Sequence, residues 1–397
     1  MNDKRTLRVA IVGAGIGGLT AAIALRAHGV DARVYERTSE LKALGAGVSI
    51  APNGSRILTR LGLAEQLAAV AGPLSHYVFR TWQGEPIAEE PSTLSFGDPA
   101  HTWFLHRAEF QRVLCDALPT DAVTFGCTVT GATEGPDDVT IRFADGSTVE
   151  ADLLVAADGI HSVLQGAVSA PAQPVSEGIM AYRGLVPAER LTGIHPVGDL
   201  DVSGMWMGPE RSFLVYPVSA GRLLNVVAFV PTDLDVLESW TAPGDVGELA
   251  ASYRGWDQPV LDIIGAMDET FRWGIYDRAP LPQWSTERIT LLGDSAHAVV
   301  PHLGQGANQA IEDAMTIAVL LDGCDAADVA SRLRVYQELR MARTRQVRDG
   351  AREAGRTYRS PDLAAANRAE KIDAIFAGIA VNTYDAEHVA QQALAAV

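Results

Sequence analysis

Apolar residues in this chain gather into short β-branched runs, each closed by glycine or an acidic residue, and into longer segments with helical spacing. Leu7 to Val12 is such a run; Gly13-Ala14-Gly15-Ile16-Gly17-Gly18 follows, and Leu19 to His28 places apolar residues at helical intervals until Gly29. The pattern predicts strand, turn and helix, and Val30 to Tyr35 then predicts a second strand ending at Glu36. Leu153 to Ala157 and Ile289 to Leu292 read as two further buried strands, closing in Asp158-Gly159 and Gly293-Asp294. Side by side, such strands place their carboxyl ends along one crevice, where open α/β sheets bind ligands. Gln309 to Leu321 reads as a long amphipathic helix. Segments 76–100 and 173–279 alternate instead, with Trp82, Phe96, Tyr182, Trp206, Phe213, Tyr216 and Phe229 among them. Phe213 to Val218 is expected to pair with Leu223 to Val230 through Ser219-Ala220-Gly221-Arg222. The expected class is mixed α/β: a discontinuous nucleotide-binding domain (1–75, 101–172 and 280–330), an antiparallel sheet domain (76–100 and 173–279) and a helical C-terminal segment (331–397).

Composition narrows the function. The chain has 397 residues, 47% hydrophobic and 20% charged, enough for two or three folded domains. Its 37 glycines exceed the usual share of about 7%, so backbone must turn sharply or approach something closely in several places. Three scattered cysteines, Cys115, Cys127 and Cys324, give no disulfide framework and no metal set, and suit a reducing, cytoplasmic setting. A formal charge of −17 argues against nucleic-acid or membrane partners. Val9 to Leu25 carries no charge, yet its four glycines and its shortness argue against a membrane span. One stretch is basic: seven arginines lie between Arg340 and Arg359, five of them on one side of a helix. A docking face for an anionic partner is one reading; a solvated face, or pairing with the protein's own acids, is the favoured one. The Ala-rich tail from Pro361 to Val397 reads as helical, a possible contact in a homodimer if the protein is not a monomer.

The glycine-rich turn carries specific chemistry. Gly13 allows a tight turn, Gly15 lets backbone approach a pyrophosphate, and Gly18 lets helix and strand pack closely. The helix start offers free N–H groups and a positive dipole end to phosphates. Glu36 is positioned to accept from ribose hydroxyls. These features predict a dinucleotide site without choosing between NAD and FAD.

Gly13-x-Gly15-x-x-Gly18 with Glu36-Arg37, then Ala157-Asp158-Gly159, then Gly293-Asp294-Ser295-Ala296-His297 with Pro301 and Gly304-Gln305-Gly306-Ala307-Asn308, together resemble the single-component flavoprotein aromatic hydroxylases. The salicylate and hydroxybenzoate hydroxylase branch is the most similar, over residues of about 7 to 350. The resemblance implies a Rossmann-type FAD-binding domain, an antiparallel substrate domain of the p-hydroxybenzoate hydroxylase kind, and C-terminal helices. It implies FAD as cofactor, NADH or NADPH as transient co-substrate, O2, and hydroxylation of a small aromatic ring through a flavin C4a-hydroperoxide. Within it, Asp294 holds the ribityl chain, Arg107 contacts the flavin side, Arg37 flanks the adenosine, and main chain near Val48, Ser49 and Val129 lines the site. Asp158 belongs to the same cofactor site. One departure is Gln165, where the family's Asp-Gly motif usually continues to an arginine.

A helix starting near Ala307 places its N-terminus where reduced flavin carries negative charge, with Gly304 and Gly306 allowing close approach. Hydroxylation calls for a base or hydrogen-bonding group near a phenolic oxygen. His302, beside Pro301, and Tyr216 are the candidates; His297 reads as structural, satisfied by backbone. Some relatives carry a histidine four residues before the tyrosine, and here that position is Ser212. A flavin oxygenase acting on a heteroaromatic acid, purine or polyketide phenol is the alternative within enzymes, and a flavin-binding relative without hydroxylation is the alternative outside them.

Overall fold

The computed structural model describes residues 6–41, 46–88, 98, 101–233, 242–362 and 364–396. Phe96 lies outside the described residues.

The first strand, Arg8–Val12, is buried almost throughout, as is Leu153–Ala156, because both sit inside a parallel sheet covered on its two faces. Five parallel strands run in the order Ile289–Leu291, Leu153–Ala156, Arg8–Val12, Asp31–Tyr35, Val123–Thr124. Helix Ile16–Ala27 crosses from the first strand to the next, and Gly29, at a φ of 77°, ends the turn that follows it. An antiparallel ribbon, Val129–Glu134, Val139–Phe143 and Thr148–Ala151, leads into Leu153–Ala156.

The second sheet has seven strands in the order Ala242–Gly244, Thr270–Arg278, Pro174–Pro187, Leu223–Pro231, Arg211–Val218, Val202–Gly208, His76–Thr81. The predicted hairpin forms, with Tyr216 opposite Asn225 and Val218 opposite Leu223. The sheet is not wholly antiparallel: His76–Thr81 pairs parallel with Val202–Gly208. That edge strand is reached from the nucleotide-binding part of the chain, so no hairpin forces its direction. The aromatic residues expected to form one wall are divided by strand alternation. Tyr182, Trp206 and Phe213 pack with Tyr253 and Trp256 under helices Val246–Ser252 and Gln258–Gly265, whereas Tyr216 and Phe229 share the opposite face with Phe104 and Leu303.

Helix Gly306–Leu320 corrects the amphipathic expectation. Every residue from Asn308 to Leu320 is buried, Glu312 and Asp313 included. Their counter-ions come from the long helix Val329–Tyr358: Arg340 donates to Glu312 at 2.7 Å and to Asp313 at 2.6 Å, and Arg343 to Glu312 at 3.2 Å. Of the five-arginine stripe, Arg345 and Arg356 are exposed, and the other three pair within the protein. Arg348 and Arg352 meet Asp277, and Arg359 meets His302. The tail folds back as helices Ala365–Gly378 and Ala386–Ala395, with Ala386 and Ala390 in the core against the Gly306–Leu320 layer. Among the described residues no helix is long and apolar enough to cross a membrane, and no cluster of potential metal ligands forms.

Candidate functional site

Register aligns the strand ends: Val12 lies beside Ala156, and Ala156 beside Leu291. Gly13, Asp158 and Gly293 thus emerge along one edge. Gly13 has a φ of 104°, and a Cβ on it would strike the Ala157 carbonyl; a Cβ on Gly18 would strike the Gly13 carbonyl. Around Gly15 nothing lies within 4 Å of where a Cβ would be, so that stretch of backbone borders open space. Helix Ile16–Ala27 begins there with no side-chain cap, leaving its first N–H groups to a ligand or water. Glu36 braces the turn, accepting from the N–H of Ala14 at 2.8 Å and of Thr38 at 2.9 Å. Gln111, which the motif reading passes over, donates to the Ala14 carbonyl at 2.5 Å. Arg37 is exposed beside Glu36, and the strand containing Val129 follows Cys127, whose N–H donates to the Glu36 carbonyl.

Further along the edge, Asp158 closes its own loop by accepting from Val163 N–H at 2.9 Å, while its Oδ1 is buried without a hydrogen bond. Burial raises its pKa, Ser162 offsetting part of the rise. Asp294 is exposed between buried Gly293 and Ser295, and a Cβ on Gly306 would lie 4.0 Å from its Oδ1, so this turn and the start of helix Gly306–Leu320 converge. Pro301, Gly304, Gly306 and Ala307 keep part of their surface open, whereas His302, Leu303, Gln305 and Asn308 turn inward. Asn308 is a clamp: its amide donates to the Ser49 and Gly304 carbonyls at 3.0 and 2.9 Å and accepts from Ala51 N–H at 2.9 Å. It fixes the Val48–Ser49 main chain without presenting its side chain to open space. Strand Gly47–Ile50 pairs with Trp103–His106, which delivers Arg107, exposed, at the start of the next helix.

Asp313 stands behind this edge. It accepts from Gly293 N–H at 2.9 Å and from Arg340, and His297 Nε2 lies 2.5 Å from it. Burial alone would raise this carboxyl; His297 and Arg340 outweigh it and hold the pKa at about 2. The Nε2 of His297 meets a carboxylate where backbone was expected, and its Nδ1 is buried without a hydrogen bond.

The second sheet presents its polar residues sparsely. Tyr216 is buried, stacked on Phe104 with ring centres 4.4 Å apart. Burial pushes its hydroxyl up to about 12, with Arg183 pulling the other way. Arg183, on the same face, has buried Nε and Nη1 atoms, and its guanidinium lies 5.4 Å from the Trp273 ring. Burial lowers it to about 10. Leu185, Leu214 and Trp273 on this face, with Arg183, keep part of their surface open, which makes an apolar wall holding one cation. Asn225, opposite Tyr216, accepts from Gly47 N–H at 2.6 Å, and a Cβ on Gly47 would collide with the Tyr216 ring. Arg183 and Asn225 were missed because neither belongs to a motif; each is a lone polar residue at an inward position of an apolar strand, and that was the available signal.

His302 departs from expectation. Expected near a phenolic substrate oxygen, its side chain is instead wholly buried between the Phe229 ring and Gly355 of the long helix. Nε2 lies 3.3 Å from Glu177, and Arg359 lies 3.4 Å from Nδ1 and 3.3 Å from Nε2. The arrangement fits a neutral imidazole donating from Nε2 to Glu177, with the Arg359 guanidinium lying against the ring about equally far from both nitrogens. Burial lowers its pKa to about 4, Glu177 opposing. Ser212, opposite Phe229, is buried and its hydroxyl makes no hydrogen bond.

An open cradle at Gly15, an uncapped helix start beside it, an orphaned oxygen on Asp158 and an exposed Asp294 near a second helix start together match a long, phosphate-bearing flavin. Residues 6–351 match the family model described as FAD binding domain. The chain is 40% identical to a 3-amino-4-hydroxybenzoate 2-monooxygenase of Streptomyces platensis over 89% of each chain. It is 32% identical to a 6-hydroxynicotinate 3-monooxygenase of Bordetella bronchiseptica, covering 89% of this chain and 94% of that one. A salicylate hydroxylase substrate complex superposes with a TM-score of 0.83 at 30% identity, covering 98% of both chains. The chain belongs to the single-component FAD-dependent aromatic hydroxylases.

Proposed function

We propose that this FAD-dependent monooxygenase hydroxylates a small aromatic acid carrying a phenolic or equivalent ring hydroxyl. The observation that carries this reading is Arg183, one cation in an otherwise apolar wall on the sheet face that Tyr216 shares. A partly buried guanidinium among apolar side chains suits a carboxylate or phenolate far better than a neutral ring. The substrates in the names of both relatives, 3-amino-4-hydroxybenzoate and 6-hydroxynicotinate, pair a ring hydroxyl with a carboxylate.

When bound, FAD accepts hydride from NADH or NADPH and activates O2 for transfer of one oxygen atom to the ring. The chain's residues do the rest. N–H groups after Gly15 hold the pyrophosphate, with Gly13 and Gly18 shaping the turn and Glu36 and Arg37 at the adenosine end near Val129. Asp294 accepts from ribityl hydroxyls, while Asp158, Arg107 and the Val48–Ser49 main chain border the cofactor. Main-chain N–H groups at Gly306 and Ala307 stabilise negative charge, with Gly304 and Pro301 completing the turn. Tyr216, neutral at working pH, donates its hydroxyl to a substrate oxygen. Leu185, Leu214 and Trp273 exclude water. His302, enclosed by Glu177, Arg359 and the Phe229 ring, positions the Pro301 turn, and no substrate base is assigned to it. The three free cysteines support a cytoplasmic setting.

The test is anaerobic reduction by NADH and NADPH across hydroxybenzoates, aminohydroxybenzoates, hydroxynicotinates and the matching phenols without a carboxylate, followed by oxygen. Ligand-stimulated reduction and a product one oxygen heavier, confined to the acids, is the expected result. Equal response to the acid-free phenols, or peroxide as the sole product throughout, overturns it.

A further inference from the structure

Asn225 carries a buried donor with no acceptor. It lies opposite Tyr216 on one neighbouring strand and opposite Leu185 on the other, and none of its surface is exposed, whereas Tyr216 keeps 5% of its own. Its Oδ1 accepts from Gly47 N–H at 2.6 Å, while Nδ2 is buried without a hydrogen bond. Turning the amide over would set two donors against each other at Gly47, so the orientation is fixed and the unspent group is the N–H. Leaving such a donor unmet is costly and calls for a second state that supplies the acceptor. Leu185 has no acceptor on its side chain and Gly47 is paired with His106, so the acceptor that stands beside Nδ2 is the Tyr216 oxygen. The point where a Cβ on Gly47 would stand is 2.8 Å from the Asn225 Cγ and 2.8 Å from that oxygen. The Tyr216 hydroxyl also makes no hydrogen bond among the described residues. The charged group facing it is Arg183, with Arg107 beyond. An amide nitrogen only donates, whereas a tyrosine hydroxyl accepts and donates at once. Once Nδ2 donates to the Tyr216 oxygen, the tyrosine proton has to point elsewhere.

We propose that Asn225 is a positioning residue that sets the direction of the Tyr216 hydroxyl: with an aromatic acid bound, Nδ2 donates to the Tyr216 oxygen, and the tyrosine proton is turned to the ring oxygen of the ligand. The proposal rests on the reading that Tyr216 meets the ring hydroxyl of a small aromatic acid. Asn225 touches no ligand and acts through the tyrosine. The Tyr216 end of the site thereby favours a phenolate oxygen and disfavours a ring amine, whose hydrogens would meet the tyrosine proton.

The experiment uses the FAD-loaded enzyme. Ionisation of bound 4-hydroxy-3-nitrobenzoate is read against pH from the colour of its nitrophenolate, and 4-hydroxybenzoate and 4-aminobenzoate are titrated by calorimetry. N225D keeps an acceptor for Gly47 N–H but replaces the donor with a second acceptor, so the Tyr216 proton turns away from the ligand. The bound nitrophenol is expected to ionise about one pH unit higher, a tenfold shift towards its neutral form. The preference for 4-hydroxybenzoate over 4-aminobenzoate is expected to fall about tenfold, with flavin content retained. Because an aspartate also brings charge near Arg183, the same change is made in Y216F, where it is expected to have no further effect on either readout. N225S, neutral and without the Nδ2 donor, is expected to move both readouts in the same direction as N225D and stands in for it if N225D loses flavin. If the unmodified enzyme binds the nitrophenol but the position-225 variants leave both readouts unchanged, or act equally in Y216F, the proposal falls alone. If the unmodified enzyme binds none of these acids, the aromatic-acid reading falls and takes the proposal with it.

Discussion

Arg183 interrupts a strand whose other inward positions, Ala181 and Leu185, are apolar, and taking its charge out of water costs desolvation that an apolar side chain does not incur. Replacing it with methionine should therefore leave thermal stability unchanged or higher. The half-saturating concentration of an aromatic acid should rise by roughly 10- to 100-fold, the equivalent of about 1.5–3 kcal/mol. Steady-state kinetics beside a melting curve separates the two effects. His302 yields a pH prediction. Its folded pKa, about 4, lies below the ordinary 6.5, so between those values the unfolded chain binds the extra proton. Its contribution to stability is complete above pH 6.5 and is lost as pH falls towards 4, on the order of 3 kcal/mol. His302→Gln should flatten that part of the stability profile in denaturant titrations at successive pH values. The glycine and aspartate positions were legible because each motif encodes a backbone requirement within a few residues. Arg183, Asn225 and the Glu177–His302–Arg359 contact were not, because their meaning depends on strands and helices far apart in sequence.

Among elements, helix Gly306–Leu320 depends most on a distant partner. Its start, length and glycine-rich entry were readable, but its burial on all sides was not, because Glu312 and Asp313 look like a solvent face until Arg340 is placed against them. Burial would raise both carboxyls, yet Arg340 and Arg343 lower Glu312, and His297 with Arg340 lowers Asp313, so the pairings outweigh desolvation. Arg340→Met leaves two buried carboxylates short of a counter-ion and should cost about 3–5 kcal/mol in urea unfolding. Asp313→Asn acts on the cofactor side: with a weaker acceptor for Gly293 N–H and His297, the Asp294 turn loosens and less flavin survives gel filtration. Asp294→Ala should lower flavin retention directly, read from the absorbance ratio of flavin to protein.

Across the whole molecule, the two sheets were foreseen from apolar runs and alternation, which are local properties. Their junction was not: Asn225 of the seven-stranded sheet grips Gly47, Asn308 grips Ser49 and Ala51, and the long helix covers the seam. The tail was readable only as helical, yet Arg60 meets Asp385 at 2.6 Å and Glu387 at 2.8 Å, and Ala386 and Ala390 are buried. Removing residues 382–397 should expose an apolar strip of helix Gly306–Leu320 and lower the melting temperature by several degrees, measured on the holoenzyme. The buried Glu312 and Asp313 have a further consequence for biosynthesis. While the chain is still on the ribosome and residues 340 and 343 have not emerged, the helix that braces the Gly293–Asp294 turn has two carboxylates with no cation to accompany them inward. Flavin capture should therefore await synthesis past residue 343, and a chain truncated before residue 340 should be recovered without flavin absorbance.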